Sequence, residues 1–171
     1  EYDRAIQALI ESHRIQESMP GYRDFSIPMQ FPSDASRRMY HRNKLERDLE
    51  SLIFLEQGND RSTLAFTWFN VGKDYFYMGE FPRAIYYLKK SIKGFTEVGE
   101  TPYYSDLGAA YAEKGDFDSA HLYFRIALAK ETERGTKIHL TNIYGSLANL
   151  YEKEKNYEAA LQSWTQAQSL N

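Results

Sequence analysis

The stretch LGAAYAEKGDFDSAHLYFRIA, which runs from Leu107 to Ala127, decides the predicted fold. Its apolar residues recur at steps of three and four on both sides of the Gly115-Asp116 dipeptide, which predicts two amphipathic helices joined by a turn. Gly108 lies inside the first helix, where glycine costs about 1 kcal/mol relative to alanine. A second helix that carries Ala120 and crosses close to Gly108 would explain this glycine. The stretch therefore predicts an antiparallel helix pair.

The same pattern occurs once before this stretch and once after it. Ala84, Ala120 and Ala160 occupy equivalent places in the three units and recur at intervals of about 36 to 40 residues. The other matching residues are Trp68, Val71, Gly72, Tyr75, Phe81 and Leu88 before the stretch, and Tyr144, Leu147, Ala148, Tyr151, Tyr157, Trp164 and Ala167 after it. A helix–turn–helix unit repeated at this interval indicates a helical solenoid.

At these positions the chain resembles the tetratricopeptide repeat family, over roughly residues 64–171. The resemblance implies an all-α, right-handed superhelical solenoid of antiparallel helix pairs, with three repeats at about 64–98, 101–134 and 141–171. The chain departs from the family in having Ala148 for the usual glycine, Ser91 at the last small apolar position and no proline that closes a unit. Residues 1–62 are predicted to hold a partial or degenerate repeat, an irregular loop rich in proline and aromatic residues, and a basic helix.

Periodicity and turn residues predict where the helices begin and end. The predicted helices are 34–56, 62–78, 81–95, 102–114, 117–134, 137–153 and 157–170. Pro82 and Pro102 are expected in first turns, where the missing N–H does no harm. Close helix crossings are expected where Gly72, Gly108 and Ala148 meet Ala84, Ala120 and Ala160.

Both ends of the chain look like parts of longer repeats. Residues 1–12 line up with the second helix of a repeat, which predicts a fragment of a longer protein or an N-terminus capped by another segment. Prolines interrupt residues 19–32, and this apolar loop either packs on its own protein or fills the groove of the solenoid. The C-terminal end shows no polar capping helix, so the uncapped terminal repeats would allow homo-oligomers.

Composition limits the classes of partner. The 171-residue chain has a formal net charge of −3 and no basic stripe, which argues against binding nucleic acid. It contains no cysteine, which excludes disulfides and fits a reducing, cytoplasmic location. No apolar run is long enough for a bilayer span and no signal peptide is visible, so we expect no membrane insertion.

The sequence offers no constellation for catalysis. It lacks a phosphate-binding glycine loop, a nucleophile elbow and a helix with paired histidines and a glutamate. Its four histidines, His13, His41, His121 and His139, are dispersed. We therefore expect a non-enzymatic chain with no metal and no cofactor. A basic cluster at 37–47 is interpreted as a solvated helix face, with an anion or acidic-peptide site as the alternative.

The resemblance implies a concave groove lined by the first helix of each repeat, where a peptide or protein segment would bind. The predicted lining residues are Phe66, Phe69, Lys73, Phe76, Tyr77, Ser105, Ala109, Ala112, Glu113, Asn142, Asn149, Glu152 and Lys153. Each of them contacts either a ligand or only the neighbouring helix. A clamp for chaperone C-termini would need lysine and asparagine at set positions in each repeat, and only Asn149 fits.

Three functional hypotheses follow. The first is a non-catalytic protein–protein interaction scaffold. The second is an accessory region of a larger enzyme, because KLERDLESL from Lys44, FNVG from Phe69 and AIYYL from Ala84 are similar to the repeat junction of bacterial family 2 glycosyltransferases. The third is the peptide-sensing domain of a regulator, because long repeats of this kind resemble those of peptide-sensing bacterial regulators.

Overall fold

The structure is a computed structural model that describes Glu11, Ile15, residues 34–100 and residues 102–170. All regular structure in these ranges is helical, which confirms the all-α prediction for this part of the chain. The helices are α1 (Asp34–Leu55), α2 (Arg61–Tyr77), α3 (Phe81–Glu97), α4 (Tyr104–Lys114), α5 (Phe117–Arg134), α6 (Lys137–Lys153) and α7 (Tyr157–Ser169).

The chain divides into two compact units, and each is described by itself. The first unit holds α1 to α4, and the second unit holds Glu11, Ile15 and α5 to α7. Within each unit, consecutive helices pack against each other. The predicted central pair, α4 with α5, spans the two units, so its pairing stays a prediction. Residues 1–10 of the predicted partial repeat and the loop at 19–32 lie outside the described residues.

The predicted helix limits agree closely with the observed ones, except at Pro102. Pro82 lies in the first turn of α3, as predicted. Pro102, by contrast, precedes α4, and the prediction that it starts this helix is wrong. The N-cap is Tyr103, whose backbone is not helical (φ −88°, ψ 74°) and whose ring stacks on Phe69 of α2 at a centroid distance of 4.3 Å.

The Gly115-Asp116 turn forms as predicted. Gly115 ends α4 in the left-handed conformation, with φ 87°, which costs glycine little because it has no Cβ. Its N–H donates to the carbonyl of Ala112, and the N–H of Asp116 donates to the carbonyl of Tyr111. These two bonds satisfy carbonyls that the helix end would otherwise leave open.

Small residues hold α2 and α3 close together. A Cβ at Gly94 of α3 would lie 2.8 Å from the Cβ of Ala65 in α2. A Cβ at Gly72 would lie 2.8 Å from the Cγ of Leu88 and 3.1 Å from its backbone nitrogen. The close approach at Gly72 is thus confirmed, but its nearest neighbour is Leu88 and not the expected Ala84, which lies one turn earlier. The repeat pattern in the sequence does not predict the close contact of Gly94 with Ala65.

Helix α1 covers the other side of α2. Leu45 and Leu52 of α1 form one buried cluster with Leu64 and Val71 of α2. The indole of Trp68 packs against this cluster, and the Lys90 ammonium lies 4.5 Å from the centre of its ring. The first unit therefore has α2 at its centre, with α1 and α3 packed on it.

The core of the second unit includes a residue from the beginning of the chain. Ile15 is buried in one cluster with Ala148 of α6 and with Trp164 and Ala167 of α7. Trp164 is completely buried and its indole N–H donates to the Glu152 carboxylate at 3.2 Å. Repeat periodicity places residue 15 in an earlier repeat and gives no sign that it meets the last helix pair.

We predict that Gly94→Val will lower the free energy of unfolding by about 2 kcal/mol, because the new side chain must push α2 away from α3. Urea unfolding followed by far-ultraviolet circular dichroism measures this change. The matched control is Lys93→Val, which puts the same residue one position earlier on the exposed side of α3. Equal losses in the two variants would contradict a close contact at Gly94.

Candidate functional site

The predicted groove begins on an aromatic face of α2. The Phe66 ring is 48% exposed, whereas Phe69, one turn later, is only 8% exposed. Phe69 lies between Phe66, at a centroid distance of 6.1 Å, and Tyr103, at 4.3 Å. Tyr103 itself stays 41% exposed and touches Phe95 with its ring edge. Phe66 and Tyr103 are thus partly exposed to solvent, and the buried Phe69 ring stacks on the ring of Tyr103.

Lys73 lies on the same face, and its charge is balanced within the protein. Its ammonium is 3.6 Å from the Asp106 carboxylate of α4, 5.3 Å from the centre of the Phe69 ring and 5.9 Å from that of Tyr77. Burial by itself would lower the pKa of Lys73, but the Asp106 carboxylate and the Tyr77 hydroxyl outweigh it and the pKa is raised. Lys73 therefore stays charged at neutral pH and is already paired with an anion.

The remaining predicted groove residues of the first unit differ in exposure. Phe76 is half-buried and contacts Tyr77 and Phe81 through ring edges. Ser105 and Ala109 are half-buried, Ala112 is buried and Glu113 is exposed. The structure thus brings Phe66, Phe69, Lys73 and Tyr77 together on α2, beside residues 103–106.

The polar part of the predicted groove lies in the second unit, on α6. Asn142 and Asn149 are half-buried, and Lys153 is exposed. Glu152 accepts the hydrogen bond from Trp164, so this carboxylate has a structural task in the core of the unit. Whether these four residues continue the aromatic face of the first unit stays a prediction.

A buried carboxylate joins α1 to α2. The Asp74 side chain is 2% exposed, and its two oxygens lie 2.7 Å from Nδ1 of His41 and 2.9 Å from Nζ of Lys44. The His41 ring is also buried and stacks on Tyr77 at a centroid distance of 4.4 Å. A buried carboxylate costs several kcal/mol unless it is paired and hydrogen-bonded, and both conditions are met here. We call His41, Lys44 and Asp74 the Asp74 cluster.

Two residues of the basic segment 37–47, His41 and Lys44, belong to the Asp74 cluster. Lys44 also donates to Asp48 at 2.7 Å. Burial works to lower the pKa of Lys44, but the hydrogen bonds to Asp48 and Asp74 and their negative charges raise it overall. The interpretation as a solvated face holds for Arg38, Arg42 and Arg47, which are exposed. His41 and Lys44 instead bind an acidic group of their own chain.

The second unit has two further histidine–carboxylate contacts. His121 of α5 lies 2.8 Å from Glu154, just after α6. His139 of α6 lies 3.0 Å from Glu131 of α5, and Arg134 lies 3.2 Å from the same carboxylate. All three histidines outside the undescribed position 13 thus contact carboxylates on another part of the chain. None of these contacts lies within a single helix, so spacing along one helix does not reveal them.

Tyr103, Asp106 and Asp74 belong to this site although the sequence pattern did not predict them. The signal for Asp74 is a charged residue three positions after Val71, inside the apolar stripe of α2. Such a residue must find a partner when it is buried. The sequence does not say which helix supplies that partner, because the stripe defines a buried face and not its neighbour.

The described ranges contain no group of three histidine, aspartate or glutamate side chains that could hold a metal ion. Among the helices in these ranges, none combines the length and apolar character that crossing a bilayer requires. A scan against protein-family models and a search of the curated proteins both find no match for the chain.

We predict that Asp74→Asn will lower the free energy of unfolding by about 2 kcal/mol. The reason is that the substitution leaves His41 and Lys44 facing a neutral amide in a buried place, although Lys44 keeps Asp48 and some contact with water. Urea unfolding followed by circular dichroism measures the loss.

Asp48→Asn is the matched control, because Asp48 contacts the same lysine but is 24% exposed. It should cost about 0.5 kcal/mol, as exposed ion pairs do. A control that costs as much as Asp74→Asn would show that the Asp74 cluster is not the attachment of α1 to α2.

Proposed function

We propose that this chain is a non-catalytic scaffold that binds a peptide or protein segment, with a tetratricopeptide-like right-handed solenoid as its fold. The order of contacts between α2 and α3 supports antiparallel pairing, since Ala65 meets Gly94 and the later residue Gly72 meets the earlier residue Leu88. The hydrogen bond between Glu152 and Trp164 links α6 and α7. These contacts support two of the three helix pairs that the family resemblance predicts, one in each unit.

The observation that carries the proposal is the pair of exposed rings on the first unit. Phe66 and Tyr103 are 48% and 41% exposed, and Tyr103 rests on Phe69, which fixes its orientation. Rigid aromatic side chains supply binding energy at a low cost in conformational entropy, and they dominate many interfaces. The Lys73–Asp106 pair next to them is neutral as a whole. The surface therefore suits a segment with apolar or aromatic anchors better than a phosphate or a free carboxylate.

The other two hypotheses assign the same binding surface to a larger protein, as an accessory region of an enzyme such as a family 2 glycosyltransferase or as a peptide sensor of a regulator. No observation in the described part of the chain favours either of them over a scaffold. The absence of cysteine from the sequence supports a reducing compartment, and we propose a cytoplasmic location.

We predict that Tyr103→Ala and Phe66→Ala will each weaken peptide binding by about tenfold, because each removes one stacking surface. Peptides are first selected from a random phage-displayed library on the 171-residue chain. Fluorescence anisotropy with labelled copies of the selected peptides then gives the dissociation constants for each variant.

Tyr86→Ala is the matched control, because Tyr86 is 58% exposed but lies on α3. It should leave the dissociation constants unchanged. If the library yields no binder, or if the binders respond to Tyr86 and not to Tyr103 or Phe66, the aromatic face of α2 is not the binding site.

A further inference from the structure

The outer face of α1 carries apolar side chains that the first unit does not cover. Met39 is 65% exposed, Ile53 is 61% exposed and Phe54 is 77% exposed. The opposite side of the helix faces α2 through His41, Leu45 and other buried residues. Met39 and Ile53 point to the same side because they are 14 positions apart, or about 21 Å along the helix. Apolar groups exposed at both ends of one helix face suggest an interface.

The residues between these two ends are charged in a definite order. Arg42 lies towards the N-terminal end of the outer face, and Glu46 and Glu50 lie towards its C-terminal end, with Arg47 beside them. All four side chains are exposed. Among the residues that the structure describes, none forms an ion pair with them. The outer face is thus basic near Met39 and acidic near Ile53.

We propose that this face binds a second copy of the same chain, with the two α1 helices antiparallel across a two-fold axis. In this arrangement Met39 of one copy meets Ile53 and Phe54 of the other copy, and Arg42 lies opposite Glu50. Every contact occurs twice, as two-fold symmetry requires. Glu46 lies next to the axis, where Arg47 of the other copy offsets the repulsion between the two glutamates.

The order of charges selects this occupant and this orientation. A parallel pair of α1 helices would place Arg42 against Arg42 and Glu50 against Glu50, which is repulsive. The antiparallel pair aligns opposite charges, and the opposed helix dipoles also favour it. One helix face is small for a stable interface, so the dimer should be weak, with a dissociation constant in the micromolar range.

The dimer is independent of the proposed peptide site, because it uses the outer face of α1 and not the aromatic face of α2. A dimer would carry two copies of that aromatic face, and binding of a two-site ligand would then gain from effective concentration. If the chain does not dimerise, the proposed peptide site is unaffected. If the peptide site is wrong, the proposed dimer is likewise unaffected.

Sedimentation equilibrium of the 171-residue chain, from about 1 to about 200 μM, tests the proposal. We expect the average mass to rise from 20.0 kDa towards twice that value. Arg42→Glu and Glu50→Arg should each weaken the dimer by at least about tenfold, because each places like charges opposite one another twice. Arg125→Glu makes the same charge change at an exposed position of α5 and should have no effect.

Mixing the two charge variants is the decisive step. In an equimolar mixture of Arg42→Glu and Glu50→Arg chains, both cross pairs become attractive, so the mixed dimer should form more tightly than the dimer of either variant alone. The double variant R42E/E50R should likewise regain the wild-type affinity. Phe54→Ser should abolish the dimer, and Ile138→Ser, at a 67% exposed position of α6, should not.

A wild-type mass that stays at 20.0 kDa up to the highest concentration would overturn the proposal. A dimer whose dissociation constant is unchanged by both charge reversals would also overturn it, as would a mixture of the two variants that does not restore association. If Phe54→Ser instead lowers stability and leaves the mass unchanged, another part of the chain covers this face and the proposal is wrong. Circular dichroism of each variant verifies that the helices are intact.

Discussion

The close contact between α2 and α3 is the constraint on which the first unit depends. At Gly94 and at Gly72 there is no room for even one further methyl group, because Ala65 and Leu88 fill the space. Close approach of this kind fixes the distance and the register of the two helices at once. Tyr103 follows α3 in the chain and stacks on Phe69 of α2. This ring contact therefore also depends on how α3 is placed against α2.

The Asp74 cluster adds a polar constraint to this apolar packing. Apolar faces can pair in more than one register, whereas a buried carboxylate that needs two specific side-chain partners permits one arrangement. Asp74 therefore selects the side of α1 that turns inward. The same choice places Met39, Ile53 and Phe54 on the outer side of α1, so the contacts of Asp74 define the surface that we assign to a second copy of the chain.

Much of the fold could be predicted from the sequence. Periods of three and four residues place the helices of the described ranges, because each has a face that must be buried. Turn glycines such as Gly115 mark the ends, because a left-handed residue is cheap only for glycine. The prediction that α4 begins at Pro102 is wrong, because a proline can precede a helix as well as begin it.

Less of the candidate site than of the fold could be predicted from the sequence. The family resemblance predicted that Phe66, Phe69, Lys73 and Tyr77 would share one face of α2. The roles of Asp106 and Asp74 could not be predicted, because their partners come from other helices, and periodicity does not tell which faces meet. For the same reason the contact of Ile15 with Trp164 could not be foreseen, as these residues lie at opposite ends of the chain.

Nuclear Overhauser effects in the isotopically labelled chain give the most direct test of the central claim. We predict a cross-peak between the Ala65 methyl group and the Hα protons of Gly94, and another between the Leu88 methyl groups and the Hα protons of Gly72. The two together establish the close contact and its antiparallel order. Cross-peaks that join Ala65 to Leu88 and Gly72 to Gly94, or the absence of all four in the folded chain, would contradict it.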